Sequence, residues 1–174
     1  MRRDDVDGAN CRSFAVWSTL AKDFVLEPLK RGERSHTNLV SVVVMKQKSF
    51  VVLRAEPCTM FLYNRLLELR EWVPTRQRPS NEGYYMPALS QAENLLQSIS
   101  HDGLSLSVLF YSDGKPSDHG NFDGKISRLA RQYGRRLSAL FVGFATQNED
   151  FSALESMAKS ARDQEQWRLS AWQS

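Results

Sequence analysis

Apolar residues recur every three or four positions in five segments of the chain. This spacing places them on one face of an α-helix. The predicted helices cover residues 14–26, 60–72, 86–99, 122–133 and 151–161. The apolar stripe of the second helix includes Met60, Leu66 and Trp72. Residues 73–83, which contain prolines and a glycine, are predicted to form a loop.

Continuous apolar and β-branched runs predict four strands. They cover residues 38–45, 50–54, 104–111 and 137–144. The first two are joined by a short polar turn and should therefore pair antiparallel. The last two are separated by a helix, which is typical of a βα unit with parallel strands. The order of elements predicts an α/β fold with a doubly wound, mostly parallel sheet and helices on both faces.

The ends of the predicted helices have recognisable capping residues. Ser13, Thr59 and Asp150 are predicted N-caps, since their side-chain oxygens can accept from the first backbone N–H groups. Pro28 and Gly134 are predicted to end helices, together with a glycine at position 32.

Length and charge predict a single domain of an ordinary globular class. The chain has 174 residues, of which 41% are hydrophobic and 25% charged, with a net charge of +3. Residues 1–162 form the predicted domain and 163–174 a polar tail. The sequence has no apolar run of about 18 residues, the length that spans a membrane, and no apolar leader, which predicts a cytoplasmic protein.

The cysteines and histidines do not form a metal-binding pattern. Cys11 and Cys58 are far apart, and His36, His101 and His119 are scattered. Zinc sites need clustered ligands. The two cysteines are therefore interpreted as reduced thiols, and His119 has no nucleophile partner that the sequence identifies.

The loop after the third strand is the strongest candidate for chemistry. Asp113 follows the strand directly and precedes Gly114, at the carboxyl end where α/β sheets bind ligands. A carboxylate there is positioned to meet a hard cation or its bound water. The alternative is an ordinary Asp-Gly turn in which Asp118 is merely solvated.

Two further patterns have plainer interpretations. Residues 120–127 resemble a phosphate-binding loop but lack its spacing, which favours a simple helix entry. Five cations lie on or just after the fourth predicted helix, namely Lys125, Arg128, Arg131, Arg135 and Arg136. They form either a basic binding face or a solvated helix face. The small net charge argues against a nucleic-acid partner.

Five segments together resemble a von Willebrand factor A domain. They are FAVWSTLA (14–21), TNLVSVVVM (37–45), GYYMPAL (83–89), VLFYSDGKPSD (108–118) and GRRLSALFVGF (134–144). The resemblance covers about residues 1–162. It implies a doubly wound sheet, a protein-binding role, and a metal-ion-dependent adhesion site at the top of the sheet that usually holds Mg²⁺.

One of the three metal-binding elements of that family carries over. Asp113 matches the aspartate at the end of the fourth family strand. Gly83 lies where a threonine is expected and offers no hydroxyl, and Thr37 lies elsewhere. The DxSxS motif and the first strand before it are absent. The resemblance therefore implies a degenerate site that binds Mg²⁺ weakly or not at all.

The absent first strand leaves three explanations open. The protein extends upstream, the flanking strands pair directly, or a strand comes from another chain or from residues 167–172. Unpaired strand edges also predict self-association. The predicted function is a non-enzymatic protein-interaction module with a protein partner. The alternative is an enzyme of another doubly wound α/β family that uses Asp113 in phosphoryl or hydrolytic chemistry.

Overall fold

A computed structural model describes residues 12–32, 38–76, 83–99, 104–112, 114–143 and 150–171. The side chains are described from 15 onward, except at 71–76 and 164–171. These residues fall into two compact units. The first lies within residues 1–44 and 51–82, and the second within 45–50 and 83–174. The single domain over 1–162 stays a prediction.

The first unit opens with one continuous helical segment. It consists of α1 (Arg12–Ala21), a π-helical turn (Lys22–Leu26) and α2 (Glu27–Lys30). Ser13 is therefore inside α1, and its prediction as an N-cap is wrong. Pro28 does not end the helix either. It lies in the first turn of α2, where the wider π-helical turn before it accommodates the ring and the missing N–H.

Two strands and a long helix complete the first unit. The strands β1 (Leu39–Val44) and β2 (Phe50–Pro57) form a two-stranded sheet. Their short connection allows only an antiparallel hairpin. The next helix, α3 (Met60–Arg76), begins after Thr59, whose Oγ1 accepts from the N–H of Leu62 at 3.4 Å. The predicted cap at Thr59 is confirmed.

The core of the first unit lies between α1 and α3, with β1 and β2 packed against it. Its buried members are Trp17, Ala21, Val25, Leu53, Cys58, Leu62, Leu66 and Leu69. Met60 is 50% exposed, so its placement on the buried stripe is wrong. α3 also continues past Pro74 to Arg76, into the region predicted to be a loop.

The second unit contains three α-helices, one 3₁₀ turn and two strands among its described residues. They are α4 (Tyr85–Ile99), β3 (Leu106–Ser112), α5 (Phe122–Tyr133), a 3₁₀ turn (Gly134–Arg136), β4 (Leu137–Gly143) and α6 (Ser152–Ala171). α6 packs on α5 and β4, and α4 also contacts α5. α6 extends through most of the residues predicted to be a tail.

β3 and β4 are parallel neighbours, as the sequence predicts. Leu106 lies opposite Leu137 at one end of the pair, and Ser112 lies opposite Gly143 at the other. α5 connects the two strands, so β3, α5 and β4 form one βα unit. The described strands form two small sheets of two members each, which establishes a mixed α/β fold. The larger doubly wound sheet stays a prediction.

Hydrogen bonds and backbone geometry define both ends of α5 and the start of α6. Asn121 caps α5 by accepting from the N–H of Gly124 at 2.7 Å, which confirms a simple helix entry. Gly134 ends α5 with a φ of 61°, a conformation that favours glycine. Asp150 accepts from the N–H of Ser152 at 3.0 Å. The pKa of Asp150 is lowered mainly by a hydrogen bond from the Ser152 side chain and next by this backbone contact.

Within the described ranges, none of the helices combines the length and the apolar character that crossing a membrane would need.

Candidate functional site

The loop after β3 lies at the carboxyl end of the parallel pair. β3 ends at Ser112, and residues 114–121 lead into α5. In α/β folds this edge is the usual place for ligands, because loops converge there on a rigid support. Two sets of hydrogen bonds join this loop to Gly83 and to the first turn of α4.

Asp118 caps α4 from this loop. Its Oδ1 accepts from the N–H of Tyr85 at 2.7 Å, and its Oδ2 accepts from the N–H of Met86 at 2.8 Å. These are the first two residues of α4, and the third is Pro87, which has no N–H. The first N–H groups of a helix lack intrahelical acceptors, and the positive end of the helix dipole favours a carboxylate. The interpretation of Asp118 as merely solvated is therefore wrong.

Ser117 and Gly83 form a reciprocal pair beside this cap. The backbone N–H of Ser117 donates to the carbonyl oxygen of Gly83 at 2.8 Å. The N–H of Gly83 donates in return to Ser117 Oγ at 3.0 Å. Ser117 thus joins the loop to the segment before α4 through one backbone contact and one side-chain contact.

Tyr85 supports the start of the same loop through its buried hydroxyl. Its side chain is fully buried, and its hydroxyl donates to the carbonyl oxygen of Gly114 at 2.5 Å. The same hydroxyl lies 2.6 Å from Ser112 Oγ, which also accepts from the N–H of Gly114 at 3.3 Å. Gly114 has a φ of 154°, which a residue with a side chain rarely adopts. We call residues 83–86, 112 and 114–118 the strand-end platform.

Aromatic rings support the platform. Tyr85 packs edge-on against Phe110, with ring centroids 4.9 Å apart, and lies 5.4 Å from Phe122. Phe110 in turn contacts Phe141 of β4 at 6.2 Å. Such pairs add to the free energy gained from burying the rings. The platform therefore rests on a packed layer contributed by α4, β3, α5 and β4.

The structure places the predicted site residues unequally. Gly83 lies on the platform, next to the loop that precedes α5. Asp113 lies outside the described residues, although Ser112 and Gly114 on either side of it are both placed. Its role as a metal ligand stays a prediction. Thr37 also lies outside the described residues.

The described side-chain oxygens of Asp118, Ser117 and Ser112 on the platform are engaged in hydrogen bonds between protein groups. Both carboxylate oxygens of Asp118 accept helix N–H groups, and Ser117 Oγ accepts from Gly83. Ser112 Oγ forms hydrogen bonds with the Tyr85 hydroxyl and the N–H of Gly114. Mg²⁺ is usually held by one or two carboxylates together with waters, and the described carboxylate of this loop, Asp118, accepts two helix N–H groups instead. Across the part of the chain that the structure describes, there is also no group of three or more His, Cys, Asp or Glu side chains suited to a metal ion.

The basic residues of α5 do not form one uniform exposed face. Lys125 is buried, and its Nζ lies 2.8 Å from Glu93 Oε2 and 3.0 Å from Ser90 Oγ. Arg128 bonds the other oxygen of Glu93 at 2.8 Å, while 58% of its side chain remains exposed. Arg131 is exposed. The solvated-face interpretation is therefore wrong for Lys125, which links α5 to α4.

The roles of Tyr85, Glu93 and Asp118 are not apparent from the sequence. Tyr85 directly precedes the predicted start of its helix, so the periodicity did not count it as a core position. Asp118 caps a helix that begins 33 residues earlier, and local capping patterns do not extend that far. The sequence shows that Glu93 is charged, but not that it pairs with Lys125 and Arg128, because these partners lie on a different helix.

The chain matches no protein-family model. It matches no curated protein sequence. Its structure is similar to that of proximal thread matrix protein 1 from the mussel byssus, with a zinc-occupied MIDAS motif, at a TM-score of 0.49 and 13% sequence identity. The similarity covers 85% of this chain and 42% of that one. At this level the similarity identifies neither a family nor a function.

Proposed function

We propose that the chain is a non-enzymatic protein-interaction module of the von Willebrand factor A type, with the strand-end platform as its binding edge. The observation that carries this proposal is the attachment of the loop after β3 to the start of α4. Asp118 and Ser117 make four hydrogen bonds to that segment, all between 2.7 and 3.0 Å. The resemblance of the sequence to that family implies a ligand site at the same edge of the sheet.

A loop held in this way is suited to binding a protein. Lys115, Ser117 and His119 are exposed along it, while Tyr85 and Asp118 hold its backbone. A binding surface that is already ordered loses less conformational entropy when a partner docks. The platform therefore offers exposed polar side chains on a rigid support.

The proposal includes a metal site that is degenerate. In the resemblance, Asp113 supplies a carboxylate, while Gly83 replaces a hydroxyl-bearing threonine. Asp118, the other carboxylate of the loop, is used to cap α4. The loop is thus held by hydrogen bonds between protein groups, and its partner does not need a bridging cation.

The proposal also includes the absence of catalysis at this edge. The buried hydroxyls of Tyr85 and Ser112 bond to each other and to Gly114, which is a structural arrangement. A nucleophile needs an adjacent base that can take its proton. The platform hydroxyls are interpreted as supports for the loop.

Affinity capture with the full chain tests the binding edge. The variant Lys115→Ala/His119→Ala removes two exposed loop side chains, and Lys159→Ala removes an exposed cation from α6 as a matched control. We expect a partner that the wild type retains in EDTA as well as in Mg²⁺. The loop variant should weaken its retention by about tenfold, as for interface hot spots, and the control should not.

Two results would overturn the proposal. One is a partner whose retention is the same for the wild type and the loop variant. The other is retention that EDTA abolishes, because the partner would then depend on a bound cation.

A further inference from the structure

Large apolar side chains are exposed together at one place in the first unit. Among the described residues, six large apolar residues are exposed, and four of them belong to this unit. Phe24 is 40% exposed, Leu39 and Met60 are each 50% exposed, and Phe61 is 72% exposed. Single exposed apolar residues are common, but a group of them at one place marks an interaction surface.

The contacts of Cys58 bring these four residues close to one another. The N–H of Cys58 donates to the carbonyl oxygen of Asn38 at 3.0 Å, which places the start of β1 beside the turn before α3. The Sγ of Cys58 donates to the carbonyl oxygen of Phe24 at 3.6 Å. α3 begins two residues after Cys58 and supplies the other two members. We call the following four residues the apolar patch: Phe24, Leu39, Met60 and Phe61.

A π-helical turn carries Phe24 at this position. The turn covers Lys22–Leu26, and Phe24 is its central residue. π-helical turns are rare, and many of them lie at functional sites. Pro28 has no N–H that could donate to the carbonyl oxygen of Phe24 in the α-helical pattern, and the Cys58 thiol donates to this oxygen. The helical distortion therefore coincides with the contact that joins Phe24 to the turn before α3.

The charges next to the patch cancel. Four charged residues lie within four positions of the two phenylalanines of the patch, namely Lys22, Asp23, Glu27 and Arg65. Two are cations and two are acids, so their formal charges sum to zero. Glu27 also pairs with Lys30 at 3.1 Å. Arg65 pairs with Glu68 at 2.8 Å. Neutral surroundings do not attract a strongly charged partner, and they do not repel a second copy of the same surface.

The exposed apolar area fits one side of a small protein interface. With an area of about 200 Å² for each side chain, the exposed fractions of the patch correspond to roughly 400 Å². An interface of standard size buries about 800 Å² on each partner, of which about 56–58% is apolar. The patch therefore supplies most of the apolar surface that one partner of such an interface needs.

We propose that the apolar patch binds the same patch of a second copy of this chain. In a two-fold symmetric pair the same surface of each copy meets itself, so a neutral apolar patch is complementary to its own copy. The charged pairs beside the patch form the polar rim that surrounds the apolar centre of such interfaces. This surface belongs to the first unit and contains no residue of the strand-end platform, so the inference goes beyond the proposed binding edge.

Sedimentation equilibrium and NMR spectra of the full chain over a concentration series test the proposal. We expect a monomer–dimer equilibrium, with chemical shifts of the patch residues that change on dilution. Phe61→Ser removes the most exposed member of the patch, which the core of the unit does not include. Leu104→Ser removes an apolar side chain that is 37% exposed in the second unit and is the matched control. Phe61→Ser should raise the dimer dissociation constant about tenfold or more, as for interface hot spots, and Leu104→Ser less than about twofold.

Four results would overturn the proposal. The first is a monomer at every concentration. The second is an equal effect of the two variants, since general surface hydrophobicity would then explain the association. The third is a set of shift changes confined to β3 and β4, which would place the contact at the strand edges alone. The fourth is a dissociation constant that rises steeply with added NaCl, because ion pairs would then hold the copies together. Urea unfolding of both variants verifies that they are folded.

Discussion

Asp118 connects two segments that are far apart in the sequence. Its carboxylate holds the first two N–H groups of α4, although it belongs to the loop before α5. The loop and the helix therefore stabilise each other: the loop satisfies the helix end, and the helix end orders the loop. This single side chain is more important for the platform than its position in a polar loop suggests.

Replacing Asp118 should destabilise the second unit. Asp118→Ala removes both acceptors from the start of α4, and we expect a loss of about 1–2 kcal/mol in the free energy of unfolding. Asp118→Asn keeps one acceptor oxygen and should lose about half as much. Urea unfolding of the two variants measures the difference. Equal stability of Asp118→Ala and the wild type would contradict the capping role.

Tyr85 and Ser112 should act as a unit. Tyr85→Phe removes the buried hydroxyl that donates to Gly114, and Ser112→Ala removes its neighbour. Each change should cost about 1–2 kcal/mol, because buried polar groups lose a partner. In a double-mutant cycle from urea unfolding, we expect a coupling energy of about 0.5–1.5 kcal/mol. Additive losses would show that the two hydroxyls do not interact.

At the scale of elements, Glu93 joins α4 to α5. It pairs with Lys125, which is only 9% exposed, and with the more exposed Arg128. A buried ammonium without a partner is costly, so the pairing with Glu93 allows Lys125 to occupy this position. The hydrogen bond from Lys125 is the main cause that holds the pKa of Glu93 below its usual value, against the opposing effect of burial.

Replacing Glu93 should weaken this helix pair and change its pH dependence. Glu93→Gln leaves Lys125 without its carboxylate and should cost about 2–4 kcal/mol at neutral pH. The folded-state pKa of Glu93 lies below its usual 4.5, so its contribution is complete above 4.5 and is lost as the pH falls toward the folded-state value.

Urea unfolding between pH 7 and pH 3 measures both effects. Wild-type stability should fall toward acid pH, and Glu93→Gln should show a smaller fall. Lys159→Gln, which removes an exposed charge from α6, is the control and should follow the wild type. A fall of the same size in Glu93→Gln and the wild type would contradict the account.

Sequence patterns predict the elements better than their ends and contacts. The parallel pair of β3 and β4 follows from local periodicity and β-branched runs, which act over a few residues. Pro28 and Pro74 lie within helical segments despite the usual effect of proline. The wider π-helical turn before Pro28 accommodates its ring, and a local window does not show such a turn. The cap at Asp118 acts across 33 residues, which a local window does not cover either.

At the scale of the whole molecule, the described strands leave edges that other described strands do not pair. Each of the two sheets has two members, so each strand pairs along one edge within the described part of the chain. An unpaired strand edge is a template for association with another chain. Self-association through such an edge therefore stays a prediction that the sheet topology makes testable.

Sedimentation velocity over a range of concentrations tests this prediction. We expect the average sedimentation coefficient to rise with concentration. Ser107→Lys places a charge on the exposed position of β3 and should reduce the rise. Asn94→Lys adds the same charge at an exposed position of α4 and is the control. A single species at every concentration, or equal effects of both lysines, would contradict edge-mediated association.

The central claim is that hydrogen bonds between protein groups, and not a cation, hold the strand-end platform in place. Calorimetric titration of the full chain with Mg²⁺, compared with an Asp113→Asn variant, tests it most directly. We predict no saturable heat below millimolar Mg²⁺ and no difference between the two proteins. Saturable binding at micromolar Mg²⁺ that Asp113→Asn abolishes would contradict the claim and would identify a functional metal site at this edge.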